Sequence, residues 1–139
     1  MGPNRGAGAA AMNKPTRVLI ADDEPLVRRA VKRVLVRGGF EVHEARSGAE
    51  ALLLCEAEEL PFDLLVADVV MPEMSGRELA ERFHLISPNT KVIYMSAYAE
   101  PEVIANLTLG PGAGFLPKAF TPTSLLSRVR SVLEAPEPI

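Results

Sequence analysis

Cysteine is almost missing from this chain. Cys55 is the single one in 139 residues, so no internal disulfide can form and the fold must rest on its core. Cys55 falls inside an apolar helical pattern and reads as a small buried hydrophobe rather than a reactive thiol. A reducing, cytoplasmic setting fits this cysteine usage. Histidine is equally scarce. His43 and His84 stand apart, without cysteine partners at ligand spacing, which argues against a zinc site. There is no basic surplus: 15 Lys and Arg face 18 Asp and Glu, for a net charge of −3. That removes the electrostatic footprint expected of a protein that binds nucleic acid directly. Long apolar runs are absent too. The longest are strand-sized, far short of a membrane span, and the first residues lack the apolar core of a secretory signal.

What is present is an ordinary globular balance, 47% hydrophobic and 24% charged, in a length that suits one domain. Residues 1–15 open with a Gly/Ala-rich stretch without periodicity and read as a disordered linker or cloning residue. Residues 135–139, Ala-Pro-Glu-Pro-Ile, read as a tail, since the prolines cannot continue a helix. Between them short apolar runs alternate with amphipathic stretches. Strands are expected at Arg17–Ala21, Phe40–Ala45, Leu64–Ala67, Lys91–Met95 and Gly114–Leu116. Helices are expected at Pro25–Arg37, Ala49–Glu59, Gly76–Leu85, Glu102–Leu109 and Pro122–Glu134. Val27, Ala30, Val31 and Val34 recur at helical spacing in the first helix, and Gly38-Gly39 ends it. Ser47 with Glu50, and Ser75 with Glu78, are capping-box patterns. Thr121-Pro122 pairs an N-cap with proline at the first helical position.

Alternating strands and helices imply an α/β fold, a doubly wound parallel sheet with helices on both faces. Such sheets bind ligands at the carboxyl ends of their strands. There the sequence gathers its chemistry. Val18-Leu19-Ile20-Ala21 runs into Asp22-Asp23-Glu24; Leu64-Leu65-Val66-Ala67 stops on Asp68; Ser96 and Lys118 follow the last two strands. Two carboxylates about 4 Å apart repel by roughly 4 kcal/mol at an effective dielectric near 20, so such a rim takes up protons or recruits a cation. Mg²⁺ suits it. Asp23 and Asp68 would bind directly, Asp22 through water, and the Val70 carbonyl would complete the protein ligands. One Asp68 oxygen could then attack phosphorus, since aspartyl phosphates are known covalent intermediates. Lys118 would offset charge on the transferring group, Ser96 would donate a hydroxyl, and small Ala97 would leave the site open.

Each assignment has a plainer rival. Asp22 and Asp23 could cap a helix, Asp68 could start a turn before Pro72, Ser96 could end a strand, and Lys118 could be a surface lysine. Those readings must all hold independently, whereas one phosphoryl site covers them together. The segment Gly110-Pro111-Gly112-Ala113-Gly114 reads as a turn, not a nucleotide loop.

At this point the chain resembles a response-regulator receiver domain of bacterial two-component signalling over residues 16–134. The likeness rests on Asp22-Asp23, on Asp68 with Met71-Pro72-x-Met74-x-Gly76, on Ser96-Ala97 and on Phe115-Leu116-Pro117-Lys118. It implies a flavodoxin-like five-stranded sheet of order 2-1-3-4-5. It implies Mg-dependent transfer of a phosphoryl group to Asp68 from a histidine of a sensor kinase or histidine phosphotransfer protein. Ser96 and Phe115 would be the switch pair, and the face carrying helices Glu102–Leu109 and Pro122–Glu134 would change its binding preference, with homodimerisation through those helices as one outcome. A domain of this kind is a self-phosphorylating switch and not an enzyme with an external substrate. It could act alone or be the C-terminal receiver of a hybrid sensor histidine kinase. Three departures from the family pattern stand out: Ala119 follows Lys118 where proline is usual, Phe115 replaces a frequent tyrosine, and Val70 and Tyr98 occupy commonly polar positions. An apolar Val70 cannot orient an attacking water, so slow self-dephosphorylation is expected. A metal-dependent phosphatase using Asp68 is the competing enzyme reading, but such phosphatases often place an acid two residues later, where this chain has Val70. A pseudo-receiver that only binds partners is the third reading, opposed by the intact set of rim residues.

Overall fold

A computed structural model describes residues 14–58, 60–97 and 113–135. The described elements are β1 (Arg17–Ala21), α1 (Pro25–Arg37), β2 (Glu41–Ala45), α2 (Gly48–Ala57), β3 (Leu64–Asp68), α3 (Gly76–Ile86), β4 (Lys91–Ser96), β5 (Ala113–Pro117) and α4 (Pro122–Glu134). The five strands form one sheet of order β2-β1-β3-β4-β5, and every neighbouring pair is parallel. This is the doubly wound, flavodoxin-like arrangement that the alternation of segments implies. The expected helix Glu102–Leu109, the residue Tyr98 and the glycines at 110 and 112 lie outside the described residues.

Alternation along the strands sends successive side chains to opposite faces, so both faces carry a core. Leu19, Leu65, Ala67, Val92 and Tyr94 pack with Ala51 of α2 and Leu79, Ala80 and Phe83 of α3. Val18, Ile20, Leu64, Val66, Ile93 and Met95 pack with Val31 and Leu35 of α1 and Leu125, Val129 and Val132 of α4. Strands buried on both sides must read as near-continuous apolar runs, and β1 and β3 are buried at all five positions. Cys55 is half-buried against the first of these layers, and burial pushes its thiol up. No helix among the described residues is long and apolar enough to cross a membrane.

The helix starts follow the sequence signals with one difference. Ser47, Ser75 and Thr121 each accept a hydrogen bond from the backbone three residues on. At α2, however, the Glu50 carboxylate accepts from the Arg46 backbone N–H at 2.6 Å, one residue before the N-cap. The reciprocal box closes at α4, where Ser124 answers Thr121. After α1 the left-handed residue is Gly39, at φ 94°, rather than Gly38.

The amino-end rim of the sheet is held by Arg17. Its Nε donates to Glu41 at 2.9 Å, another guanidinium nitrogen meets Glu58 at 2.5 Å, and a third contact reaches the Leu60 carbonyl. The guanidinium lies 4.6 Å from the centre of the Phe62 ring, and the Arg17 backbone N–H donates to Asp63 at 2.8 Å. The turn that feeds β3 is thereby tied to β1. His43 pairs with Glu41 and His84 with the Thr90 carbonyl. Both are structural contacts far in sequence from the rim acids.

Candidate functional site at the carboxyl ends of the strands

Asp68 is the last residue of β3, the central strand, and Ser96 is the last residue of β4. Each strand runs one residue further than the apolar pattern alone suggests, so both polar groups sit on the sheet itself. Asp22 follows β1 directly and its N–H donates to Ala45 of β2 at 3.1 Å. Lys118 follows β5, and its N–H donates to the Ser96 carbonyl at 2.8 Å. Four adjacent strands thus deliver four candidate site residues to one rim. The peptide bond between Lys118 and Ala119 is trans, since no cis bond occurs among the described residues.

The Lys118 ammonium is the hub. It stands 3.0 Å from Asp68 Oδ2, 3.2 Å from Asp22 Oδ2, and in contact with Glu24 Oε1. Asp22 is fully buried and the Asp68 side chain is 6% exposed, while Glu24 is open to solvent. Asp68 Oδ1 accepts from the Val70 N–H at 3.1 Å, and Asp22 Oδ1 accepts from the Glu24 N–H at 2.9 Å. The second Asp22 oxygen, Oδ2, has charge contact with Lys118 but no aligned hydrogen-bond donor. Asp23, Glu24, Asp68, Val70, Ser96, Ala97 and Lys118 line a cleft of about 330 Å³.

Electrostatics follow from this packing. Burial pushes the carboxyls of Asp22 and Asp68 above the usual carboxylate range. For Asp68, Lys118 and the Val70 N–H oppose that rise, and the charge of Asp23 adds to it. Burial pulls the Lys118 ammonium down, but Glu24, Asp68 and Asp22 outweigh it and hold it above its ordinary value. Carboxylate oxygens of Asp22, Glu24 and Asp68 lie within 4.8 Å of one another. Hard carboxylate oxygens gathered at this rim, the buried Asp22 Oδ2 among them, suit a divalent cation such as Mg²⁺.

The sequence expectation put Asp23 among the direct ligands. In the structure Asp23 lines the cleft, and Glu24, exposed as Asp23 is, joins Asp22 and Asp68 in the tight cluster. Sequence reasoning counted Glu24 only as one of a run of acids. Its signal was its place at the N-cap of α1, where a side chain next to the strand end can turn back over the rim. Phe115, on β5 opposite Tyr94, is partly buried and packs against the α2/α3 layer.

A family model described as the response regulator receiver domain matches residues 18–130. The chain belongs to that family. It is 42% identical over 117 residues to the sensor kinase CckA of Brucella abortus, covering 84% of this chain and 12% of the kinase. It is 32% identical over 117 residues to the chemotaxis protein CheY of Thermotoga maritima, covering 84% of this chain and 96% of that protein. Among solved structures, the receiver domain of the hybrid histidine kinase CckA superposes with a TM-score of 0.72 at 33% identity, covering 85% of this chain and 99% of that one. The chain therefore spans a small fraction of the matching kinase and nearly the whole of the single-domain relative. A receiver domain of two-component signalling is what the sequence motifs implied, and the sheet order and acidic cluster agree with it.

Proposed function

We propose that this receiver accepts a phosphoryl group on Asp68 from a phosphohistidine of a sensor kinase or histidine phosphotransfer protein. The observation that carries the reading is the 3.0 Å contact between Lys118 Nζ and Asp68 Oδ2 beside the donor-less Asp22 oxygen. One Asp68 oxygen forms the new bond to phosphorus while the P–N bond to imidazole breaks, its electron pair leaving with the nitrogen, which takes a proton. Mg²⁺, held directly by Asp23 and Asp68 and through water by Asp22, with the Val70 carbonyl as a further ligand, would offset the charge of the transferring group. Lys118 supplies a fixed positive charge that lowers the energy of Asp68 as a carboxylate and then faces the phosphoryl oxygens. Val70 N–H holds the other carboxylate oxygen, so Asp68 keeps one orientation.

Ser96 and Phe115 are the proposed switch. Ser96 ends β4 at the cleft, and Phe115 lies on the neighbouring strand. A phosphoryl group that draws the Ser96 hydroxyl favours one arrangement of this edge over another, and the protein-interaction face beside it changes its preference. The 42% identity to a sensor kinase, against 32% to a chemotaxis regulator, supports a place in a phosphorelay, as the receiver of a hybrid kinase. Acetyl phosphate with Mg²⁺ and an intact-mass readout tests the chemistry. The expected result is a gain of one phosphoryl group that Asp68→Asn abolishes. Phosphorylation that persists in Asp68→Asn overturns the assignment.

A further inference from the structure

Glu24 has an unusual position for an N-cap residue. It precedes α1, its backbone is extended at φ −93° and ψ 111°, and its side chain makes no hydrogen bond to the helix it caps. Pro25 at the first helical position reduces the need for one, since it lacks an N–H. The carboxylate instead reaches Lys118, 94 residues away in sequence. Exposure orders the groups around the ammonium: Asp22 at 0%, Asp68 at 6%, Lys118 at 13% and Glu24 at 58%. Asp22 and Asp68 hold the ammonium from within, and Glu24 closes on it from the solvent side. That is the side from which an incoming phosphoryl group must come.

We propose that Glu24 is a positioning residue that acts through Lys118, an internal stand-in for the phosphoryl group that occupies the lysine until phosphate displaces it. The proposal rests on the reading of Asp68 as the phosphoryl acceptor. A phosphoryl group carries the same charge-bearing oxygens to the same ammonium, so carboxylate and phosphoryl compete for one partner. Glu24 also adds a negative charge to a rim that already holds Asp22, Asp23 and Asp68, which raises the barrier to an anionic donor. Releasing Lys118 from Glu24 is then part of every phosphorylation event, and reformation of the pair accompanies every loss of phosphate. Because Glu24 is more than half exposed, the pair is a modest one, of the size of partly exposed ion pairs.

The test compares wild type with Glu24→Gln, which keeps size and removes charge, at saturating Mg²⁺. The expected result is a rise of about two- to fivefold in the second-order rate constant for phosphorylation by acetyl phosphate, in line with an ion pair of this exposure. The increase shrinks at high salt but does not vanish, because screening removes long-range repulsion and weakens, without abolishing, a direct contact to a largely buried ammonium. A second readout needs no phosphate. In metal-free protein the NMR signal of the Lys118 ammonium exchanges faster with solvent in Glu24→Gln than in wild type. An unchanged or slower rate, an increase that vanishes at high salt, or an unaltered Lys118 signal overturns the proposal. If wild type itself gains no phosphoryl group that Asp68→Asn removes, the acceptor reading has failed instead, and the Lys118 signal alone then decides whether Glu24 holds the lysine.

Discussion

Gly76 lies so close to Asp68 that a methyl group on it would sit 2.2 Å from the Asp68 carbonyl oxygen. The start of α3 is therefore docked on the backbone of the proposed phosphoryl acceptor, and the Gly76 N–H donates to Val69 at 3.0 Å. Backbone cannot rotate aside as a side chain can. Gly76→Ala is expected to destabilise the fold by about 1–3 kcal/mol, the usual range for overpacking, and to slow phosphorylation by shifting Asp68. Gly48→Ala is a control: its methyl would meet the Met74 sulfur at 2.6 Å, and a thioether can move. Urea denaturation of both variants reads the difference, with Gly76→Ala the more damaging.

Stability should depend on pH through Asp22. Its carboxyl titrates above the ordinary range because burial disfavours the charge. A carboxyl with a raised folded-state value contributes most below its unfolded value, and that contribution is lost as pH rises through the folded one. Asp22→Asn is therefore expected to be more stable than wild type at neutral pH without magnesium. The gap narrows as pH falls toward the ordinary aspartate range. Denaturation midpoints taken across that window check the sign; a gap that widens on acidification contradicts it.

Magnesium should reverse this order. A ligand that binds only the folded state stabilises it by about 2.7 kcal/mol at a hundred times its dissociation constant. Wild type is expected to gain thermal stability on titration with Mg²⁺ and to lose it on chelation. Asp22→Asn and Asp68→Asn should gain far less. A midpoint in wild type that ignores Mg²⁺ would remove the cation from the proposed site.

Val70 projects an apolar side chain, 63% exposed, at the mouth of the cleft. It can neither activate nor orient water. The phosphorylated protein is expected to hold its phosphate for minutes or longer in Mg²⁺ alone. Val70→Asn should shorten that lifetime on the order of tenfold or more, since a positioned polar group assists proton transfer. Loss of phosphate followed by intact mass gives both values.

The strands and four of the helices were legible because their signals are local: apolar runs of strand length, serine and threonine caps, a proline at a first turn. The rim was legible because strand ends in such a sheet share one edge. Side-chain reach was not. Nothing in a run of three acids says where each side chain goes: Asp22 is buried, Asp23 lines the cleft, and Glu24 reaches across to Lys118. Arg17 was also unread. A charged residue opening an apolar strand looks like a solvated end, yet burial at 6% brings Glu41, Glu58 and the Phe62 ring around it, all through contacts across the fold.

The hydrogen bond from the Lys118 N–H to the Ser96 carbonyl has a mechanical meaning. It extends the β4–β5 ladder past the pairing of Ser96 with Pro117, so the residue proposed to face the phosphate and the residue proposed to report it are joined by one backbone hydrogen bond. Edge strand β5, the sheet's outermost rail on that side, would then be the handle by which a docking partner feels the state of a carboxylate on the central strand.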